Sequence, residues 1–571
     1  MSHSRTCLGL SLSAALVAVL TSRPLDAQTV PTDPQAACPI SAPTFASMFV
    51  SGSVTLNGVV KPADSTLNLA PNCGFFVWTE QMFLWLTSPA PASYGGGGRI
   101  MLSPAFYTVS PVGADGRRTF LRNQLDRPLA MALRMTELGP HDLPALLTRS
   151  GQVVEVQSVE RQPREPLIRL QSGKAVKLGT IRRLQGGELQ FLDPAGRPLN
   201  VRKLAPPPVK RQMIQMPDGR RAALIPPRAI QNAVRARKLI FGNIPVFLDS
   251  AGNVIDTEPG QADGGVLLSQ NGSLIFYITH VNQMYAWHRT MQGPGLIPGG
   301  TSIRFPLTAA DGAAVSAFAT AHGATIIDPE ALAIETKSSW VEATSVANPN
   351  DYVSASATIP TFDKSNPELW VPNGQKTVKM VMVGIHVVGS TFGHGEMVWG
   401  SMEHLGNTPN AAYSYNSTTG LKNIGQNTSG TWLFTPNGSG GPFNNMNASW
   451  DTSTGNLVST SPGTPIAPVP ILREFPWGMP GGSTSMNTQV ISANAAVISQ
   501  LIAGDVRRKY FQIGTTWTIG GAAPNGANEV GTNQLANTTM ETFVQGSNCF
   551  SCHTTNKVVV SHVYSKLKPL P

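Results

Sequence analysis

Two cysteines and a histidine near the carboxyl end of the chain have the residue types and spacing of a cofactor-attachment site. The segment reads Cys549-Phe-Ser-Cys552-His553, which fits Cys-x-x-Cys-His. Two thiols at this spacing can each add to a vinyl group of one haem, and the adjacent imidazole can ligate the iron. A zinc site would need a second Cys or His pair nearby, and a Cys-x-x-Cys redox centre is typical of a thioredoxin-like βαβ context. The motif therefore predicts one covalent haem c, held by Cys549 and Cys552, with His553 as proximal iron ligand.

The ligand on the other side of the iron would decide between an electron carrier and a catalyst. Only 18 residues follow His553, so the body of the protein must cover the opposite haem face or leave it open. The densest group of candidate distal ligands contains His386, His394 and His404. Further candidates are Met397, Met402, His280, His288 and His562. For any single one of them, a hydrogen-bonded structural histidine or a core methionine is the simpler interpretation.

The amino-terminal residues have the features of an export signal. Arg5 precedes an apolar run from Leu8 to Leu20, and Leu25-Asp26-Ala27 offers a cleavage site before Gln28. The run is too short to span a bilayer of about 30 Å. We therefore expect residues 1–27 to be a removed signal peptide, the protein to be periplasmic or secreted, and no transmembrane segment to be present.

The remaining cysteines agree with export. Apart from Cys7 in the signal peptide and the pair in the haem motif, only Cys38 and Cys73 are left. In an oxidising compartment these two can form a disulfide, which would contribute about 3–4 kcal/mol in the chain-entropy model. We expect this disulfide, with two buried thiols as the alternative.

The composition predicts a fold that is mainly β with a few helices, in the α+β class, with a β-sandwich-like body. The chain has 55 Gly and 46 Pro, and its charged share of 13% is about half the usual value. Such a composition is typical of turn-rich β proteins. Residues 28–160 and 239–530 are predicted to form the β-rich main body, and residues 531–571 the carboxyl-terminal haem-attachment segment.

Four stretches predict the elements that must position the motif. Residues 74–86 are too apolar for a surface and predict a buried helix under a sheet, whereas the apolar run 378–389 predicts a strand covered on both faces. Apolar spacing predicts a helix over 487–506. Thr538-Thr-Met-Glu541 fits a capping box, which predicts a short helix running into the cysteines.

Residues 161–238 differ from the rest of the chain in charge. They hold 18 Lys or Arg against four Asp or Glu, whereas the whole chain has a net charge of +9. Short alternating runs between Gly- and Pro-containing turns predict an inserted basic β module. Nucleic acid is disfavoured, because the protein is predicted to be exported and Phe191 is the segment's single aromatic residue. We expect contact with an anionic surface or an acidic partner, or a merely solvated insertion.

Several segments of the main body resemble a known group of proteins. They are Gly384-Ile-His-Val-Val-Gly-Ser390, His394-Gly-Glu-Met-Val-Trp399, Glu403-His404 and Leu535-Ala-Asn-Thr-Thr-Met-Glu-Thr-Phe543. Together with the haem motif they resemble large exported bacterial cytochrome c family proteins, over about residues 65–110 and 240–571. The resemblance implies haem and export but no particular reaction. A more distant likeness to c-prime-beta cytochromes, in architecture alone, would imply an open distal face that binds small gases.

Two functions follow as expectations, and whether the protein is an enzyme stays open. The first is an exported monohaem c-type cytochrome that transfers electrons to or from a redox partner protein. The second is a haem-dependent oxidoreductase, peroxidase- or oxygenase-like, with an open distal face; the length of the chain favours it. A third interpretation is a surface-binding module whose Asn-, Ser- and Gly-rich loops bind polysaccharide.

Overall fold

In a computed structural model of the protein, side chains are described, apart from a few interspersed positions, for 29–69, 72–96, 98–109, 117–123, 192–199, 264–293, 304–451, 456–553 and 561–570. Between residues 130 and 256 the description is otherwise of backbone strands alone. The predicted signal peptide, His562 and the side chain of Cys552 lie outside the described part. Within it, the prediction of a mainly β, α+β fold is confirmed.

The described strands and α-helices are numbered in chain order. The strands are β1 Phe106–Val109, β2 Phe120–Arg122, β3 Ala130–Leu138, β4 Pro144–Leu147, β5 Val153–Gln157, β6 Leu167–Arg169, β7 Ala175–Lys177, β8 Thr180–Arg183, β9 Leu189–Leu192, β10 Met213–Gln215, β11 Arg221–Ile225, β12 Phe241–Leu248, β13 Val254–Asp256, β14 Phe276–Asn282, β15 Ile334–Glu342, β16 Ser354–Asn366, β17 Leu369–Thr391, β18 His394–His404, β19 Tyr413–Ser417, β20 Gly420–Ile424, β21 Ala448–Asp451, β22 Asn456–Ser459, β23 Tyr510–Thr518 and β24 Glu529–Gly531. The helices are α1 Ala42–Ser47, α2 Cys73–Leu86, α3 Gln283–Met291, α4 Ala309–Ala321, α5 Thr484–Gln500 and α6 Cys549–His553.

One large antiparallel sheet organises the main body. Within the described residues it has eleven strands, and its main path runs β2-β1-β14-β15-β17-β18-β23-β24. The predicted strand 378–389 lies inside β17, between β15 and β18. Its apolar residues are buried on both faces, because helices cover one face and the carboxyl-terminal segment covers the other.

Helix α2 covers the first face of this sheet, where the sequence predicts a buried helix. A helix that is apolar all round has no face to leave in water, and Trp78 and Trp85 are accordingly buried. Thr79 Oγ1 lies 2.7 Å from Thr515 Oγ1 of β23. Beneath Thr79 is Gly400, where a Cβ would approach the Thr79 side chain to 2.3 Å. Any larger residue at position 400 would therefore force the Thr79 side chain, and the part of α2 that carries it, to shift.

A disulfide joins Cys38 to Cys73, the first residue of α2, with 5.2 Å between their Cα atoms. It ties the amino-terminal segment to the helix. The helix predicted over 487–506 is present as α5, but it begins three residues earlier, at Thr484, and ends at Gln500, six residues before the predicted end. It packs beside α2.

The strands between residues 130 and 256 form other sheets. Seven of them make a sheet in the order β10-β11-β5-β4-β3-β12-β13. Two of its strands, β10 and β11, lie within 161–238, and the other five come from the two sides of that segment. No helix in the part of the chain that the structure describes is both long and apolar enough to cross a membrane.

Three buried histidines couple the stability of the fold to pH. Burial lowers the pKa of His280 to about 3, of His288 to about 4 and of His404 to about 3. His404 is the best defined: its Nδ1 accepts from the Gly406 N–H at 3.0 Å, and its Nε2 lies 3.2 Å from the Asp351 carbonyl. Both contacts fit a neutral imidazole protonated on Nε2.

We expect acid to destabilise the protein through these groups. Each neutral histidine contributes stability that is complete above the unfolded pKa of about 6.5 and is lost as pH falls towards the folded value. In His404→Phe, the slope of the unfolding free energy between about pH 6 and pH 4 should decrease by up to about 1.4 kcal/mol per pH unit. Urea unfolding at several pH values measures this slope. The control is His322→Phe at an exposed position, and an equal decrease in both variants would contradict the assignment.

Candidate haem site

The predicted attachment residues lie on α6, a helix of five residues. Its amino-terminal turn is capped by Asn548, whose side-chain oxygen accepts from the Phe550 N–H at 2.9 Å. The Asn548 amide also donates to Glu529 Oε2 of β24 at 3.0 Å. Positions 549 and 552 lie on this turn, at a spacing of three residues that places two positions on one face of a helix.

Helix α6 packs against Trp399, which lies near the middle of β18. Its ring centroid lies 4.3 Å from that of His553 and 6.3 Å from that of Phe550. Trp399 is only 6% exposed, and its Nε1–H has no acceptor among the described residues. A buried donor without a partner costs about 1–3 kcal/mol. The haem propionates could supply the missing acceptor, so the residues present fit the predicted cofactor.

The segment that leads into α6, residues 535–548, is called the linking segment, and it lies on the second face of the large sheet. Met540 is fully buried there, in a core with Tyr277 and Val383. The Tyr277 hydroxyl donates to the Thr539 carbonyl at 2.6 Å. The Thr539 hydroxyl lies 2.6 Å from Ser339 Oγ of β15. The linking segment is therefore fastened to the sheet by buried hydrogen bonds.

A buried ion pair holds the same segment to β18. The side chains of Glu403 and Arg473 have no exposure to solvent, and Arg473 Nε donates to Glu403 Oε2 at 3.1 Å. The Thr538 hydroxyl donates to the same oxygen at 2.6 Å, and the Thr538 N–H donates to Glu403 Oε1. Glu403 thus neutralises one cation and fixes the start of the linking segment.

A third contact between the large sheet and the linking segment comes from β17. His386 Nε2 lies 3.0 Å from Glu541 Oε1, and the Asn537 N–H donates to Glu541 Oε2 at 2.9 Å. Burial, the largest single effect, acts to raise the pKa of Glu541, but the opposing effects of His386, Lys337 and the Asn537 N–H together outweigh it and lower that pKa. Glu541 is therefore a carboxylate that the sheet holds in place.

The prediction of a helix that begins at the capping box 538–541 is wrong. Residues 538–546 form successive turns, and α6 begins only at Cys549. The Thr538 hydroxyl and N–H bond to Glu403, while Glu541 bonds to Asn537 and His386. Because these tertiary partners are buried, they outweigh the local hydrogen bonds that a capping box would make.

The structure does not bring the three distal candidates together. Side chains alternate along a strand, so His404 lies on the opposite sheet face from Trp399 and stacks on Tyr352 with 3.7 Å between ring centroids. Both of its ring nitrogens are in hydrogen bonds within the protein. His404 therefore offers no nitrogen to an iron near α6.

The other two histidines also have protein partners. His394 Nδ1 lies 2.8 Å from Glu396 Oε1, and its ring packs edge-on against Phe75 of α2. His386 shares the sheet face of Trp399, since its cross-strand partner is Ser401, but its Nε2 is bonded to Glu541. Of the three, His386 is thus the one on the haem-motif side, where it anchors the linking segment.

A cluster on this face that sequence reasoning missed is centred on Glu335 of β15. Its carboxyl is hydrogen-bonded by Tyr285 of α3 and by Ser561, and the Tyr285 and Ser561 hydroxyl oxygens are 2.7 Å apart. Burial raises the pKa of Glu335 to about 7, although these hydrogen bonds and nearby cations oppose the rise. Strand alternation could have placed Glu335 on this face. Its partners come from distant parts of the chain and leave no local signal.

Within the described residues, no group of three or more His, Cys, Asp or Glu is arranged to hold a metal ion by itself. The haem prediction requires only one protein nitrogen and two thiols from α6. Comparisons with protein-family models, with curated proteins and with solved structures find no match for this chain. The likeness to cytochrome c family proteins therefore stays a prediction from the sequence.

Proposed function

We propose that the protein is an exported monohaem c-type cytochrome that transfers electrons through a haem attached to Cys549 and Cys552. The observation that carries the proposal is the Cys-x-x-Cys-His turn of α6 packed on Trp399. There a buried indole N–H lacks an acceptor among the described residues. A haem propionate within reach of Trp399 would give that donor a partner, and export would match the oxidising compartment in which a Cys38–Cys73 disulfide persists.

A bound haem supplies a one-electron Fe(III)/Fe(II) couple. Cys549 and Cys552 would hold the macrocycle through thioether bonds, and His553 would ligate the iron. Trp399 packs against the His553 ring and limits its rotation. The hydrogen bonds of the linking segment to Glu403, His386 and the rest of the sheet keep α6 in one position. Such a fixed ligand favours electron transfer, which requires little rearrangement.

A second candidate is a haem-dependent oxidoreductase. The observation that favours it is the buried Glu335 carboxyl with Tyr285 on the same sheet face as α6. Haem enzymes that act on peroxide or oxygen need a proton donor near the iron, and a carboxyl with a pKa near neutrality suits that role.

The optical spectrum of protein produced with a cytochrome c maturation system tests both candidate functions, electron transfer and haem-dependent oxidoreduction. We expect one haem per chain by pyridine haemochrome assay and a low-spin spectrum that carbon monoxide does not change. A high-spin haem that binds carbon monoxide would favour the oxidoreductase instead. Protein without covalent haem would contradict both functions.

We further propose that the basic residues 161–238 contact an acidic redox partner. Their excess of Lys and Arg would steer such a partner by long-range attraction, which salt screens. The rate of haem reduction by an acidic donor protein should then decrease as ionic strength rises. A rate that is independent of salt would contradict this contact.

A further inference from the structure

We infer that Glu335 is a proton-exchange site coupled to the haem iron: its carboxylate binds a proton when the iron is reduced and releases it when the iron is oxidised. The inference rests on the proposed function, because it requires a haem at α6. The electron comes from the redox partner protein and the proton from solvent. One electron and one proton enter together, so the net charge of the site does not change.

Strand register places Glu335 on the haem-motif side of the sheet. Trp399 pairs with Val388, and Val388 pairs with Glu335, so the three side chains form one row on one face. Two strand spacings separate the Cα atoms of Trp399 and Glu335, a distance of about 10 Å. The His553 ring lies against Trp399 at one end of this row.

The chain that carries the haem motif also reaches Glu335 directly. Eight residues after His553, Ser561 hydrogen-bonds the Glu335 carboxyl, and Tyr285 completes the cluster from α3. Hydroxyl groups can donate or accept, so Ser561 and Tyr285 can serve both the ionised and the protonated carboxyl. The cluster can therefore change its protonation state without losing its hydrogen bonds.

Burial strengthens the electrostatic coupling between Glu335 and a charge at the haem position. Glu335 is 3% exposed, and charges separated by protein interact more strongly than charges in water. The titratable or charged groups on the elements around it are Lys337 of β15, Tyr285, His288 and Arg289 of α3, Arg118, Tyr564, and the His386–Glu541 pair in the next row of the sheet. Lys337 and Arg118 lower the pKa of Glu335, and burial, the largest effect, brings it to about 7. The carboxyl is thus set to titrate near neutral pH.

Redox potentiometry of the haem-loaded protein between about pH 5.5 and pH 8.5 tests the inference. In the wild type we expect the reduction potential to decrease as pH rises through neutrality, by at most about 59 mV for each tenfold change in proton concentration. Glu335→Gln should lose this dependence. The control is Glu80→Gln: Glu80 is also buried, with its pKa raised by burial to about 8, but it lies on α2 across the sheet. This control should keep the wild-type slope.

Two milder variants keep the inference testable if the Glu335→Gln protein misfolds. Tyr285→Phe and Ser561→Ala each remove a donor to the ionised carboxylate, so they should move the inflection of the curve to higher pH. A haem whose potential does not vary with pH, or a Glu335→Gln protein with the wild-type slope, would overturn the inference and leave the proposed function intact. Haem content is measured first, because a protein without covalent haem would instead overturn the proposed function.

Discussion

Replacing Cys549 and Cys552 together by serine is expected to abolish covalent haem. Each thioether bond needs a thiol on the face of α6 that meets a haem vinyl group, and a hydroxyl does not form that bond under the same maturation chemistry. Each single variant should keep at most one thioether. Intact mass and haem staining after denaturation measure the effect, since a haem that is not covalently bound is lost on unfolding.

The matched control lies on the same helical turn. Ser551 is exposed, and its hydroxyl donates to the Asn548 carbonyl at 2.6 Å, so Ser551→Ala should keep both thioethers. Circular dichroism should show that the double serine variant retains the β fold, because the large sheet is built without the two cysteines. Haem that stays attached to the double variant after denaturation would disprove the assignment.

Arg473→Leu is expected to give the largest loss of stability. The Glu403–Arg473 pair has no solvent exposure, and removal of one partner from a buried pair costs about 3–5 kcal/mol, because the other charge is left buried and uncompensated. Removal of the Arg473 guanidinium should also weaken the hydrogen bond from Thr538 to Glu403, because both residues donate to the same carboxylate. The free energy of unfolding in urea measures the first effect, and hydrogen exchange at Thr538 measures the second.

Two comparisons isolate the buried charge. Lys376→Leu removes a cation from the half-exposed pair with Glu342 and should cost no more than about 1 kcal/mol. Replacing both Glu403 and Arg473 by leucine should cost less than Arg473→Leu alone, because no charge is then left unpaired. A cost for Arg473→Leu as small as that of the control would show that the pair does not anchor the linking segment.

The contacts of the linking segment explain the positions of two polar residues, His386 and Glu403, in the segments that resemble cytochrome c family proteins. His386 and Glu403 bond to residues 537–541, which belong to another of the same segments. In this structure both residues anchor the linking segment, and His386, which is also one of the candidate distal ligands, is bonded to Glu541. Through these two residues, β17 and β18 position the chain that leads into α6.

The sequence by itself determined the features that local spacing encodes. The Cys-x-x-Cys-His pattern depends on one helical turn, the helix over 74–86 on a continuous apolar run, and the strand over 378–389 on the same property. Tertiary structure decided the rest. Thr538 and Glu541 were predicted to cap a helix and instead bond to buried groups on β17 and β18. Glu335 and Ser561 meet only because the tertiary fold brings together two residues that are far apart in the chain. Such contacts join residues far apart in the chain, and no local spacing of residue types indicates them. The haem motif could therefore be predicted from the sequence, whereas the residues that surround it could not.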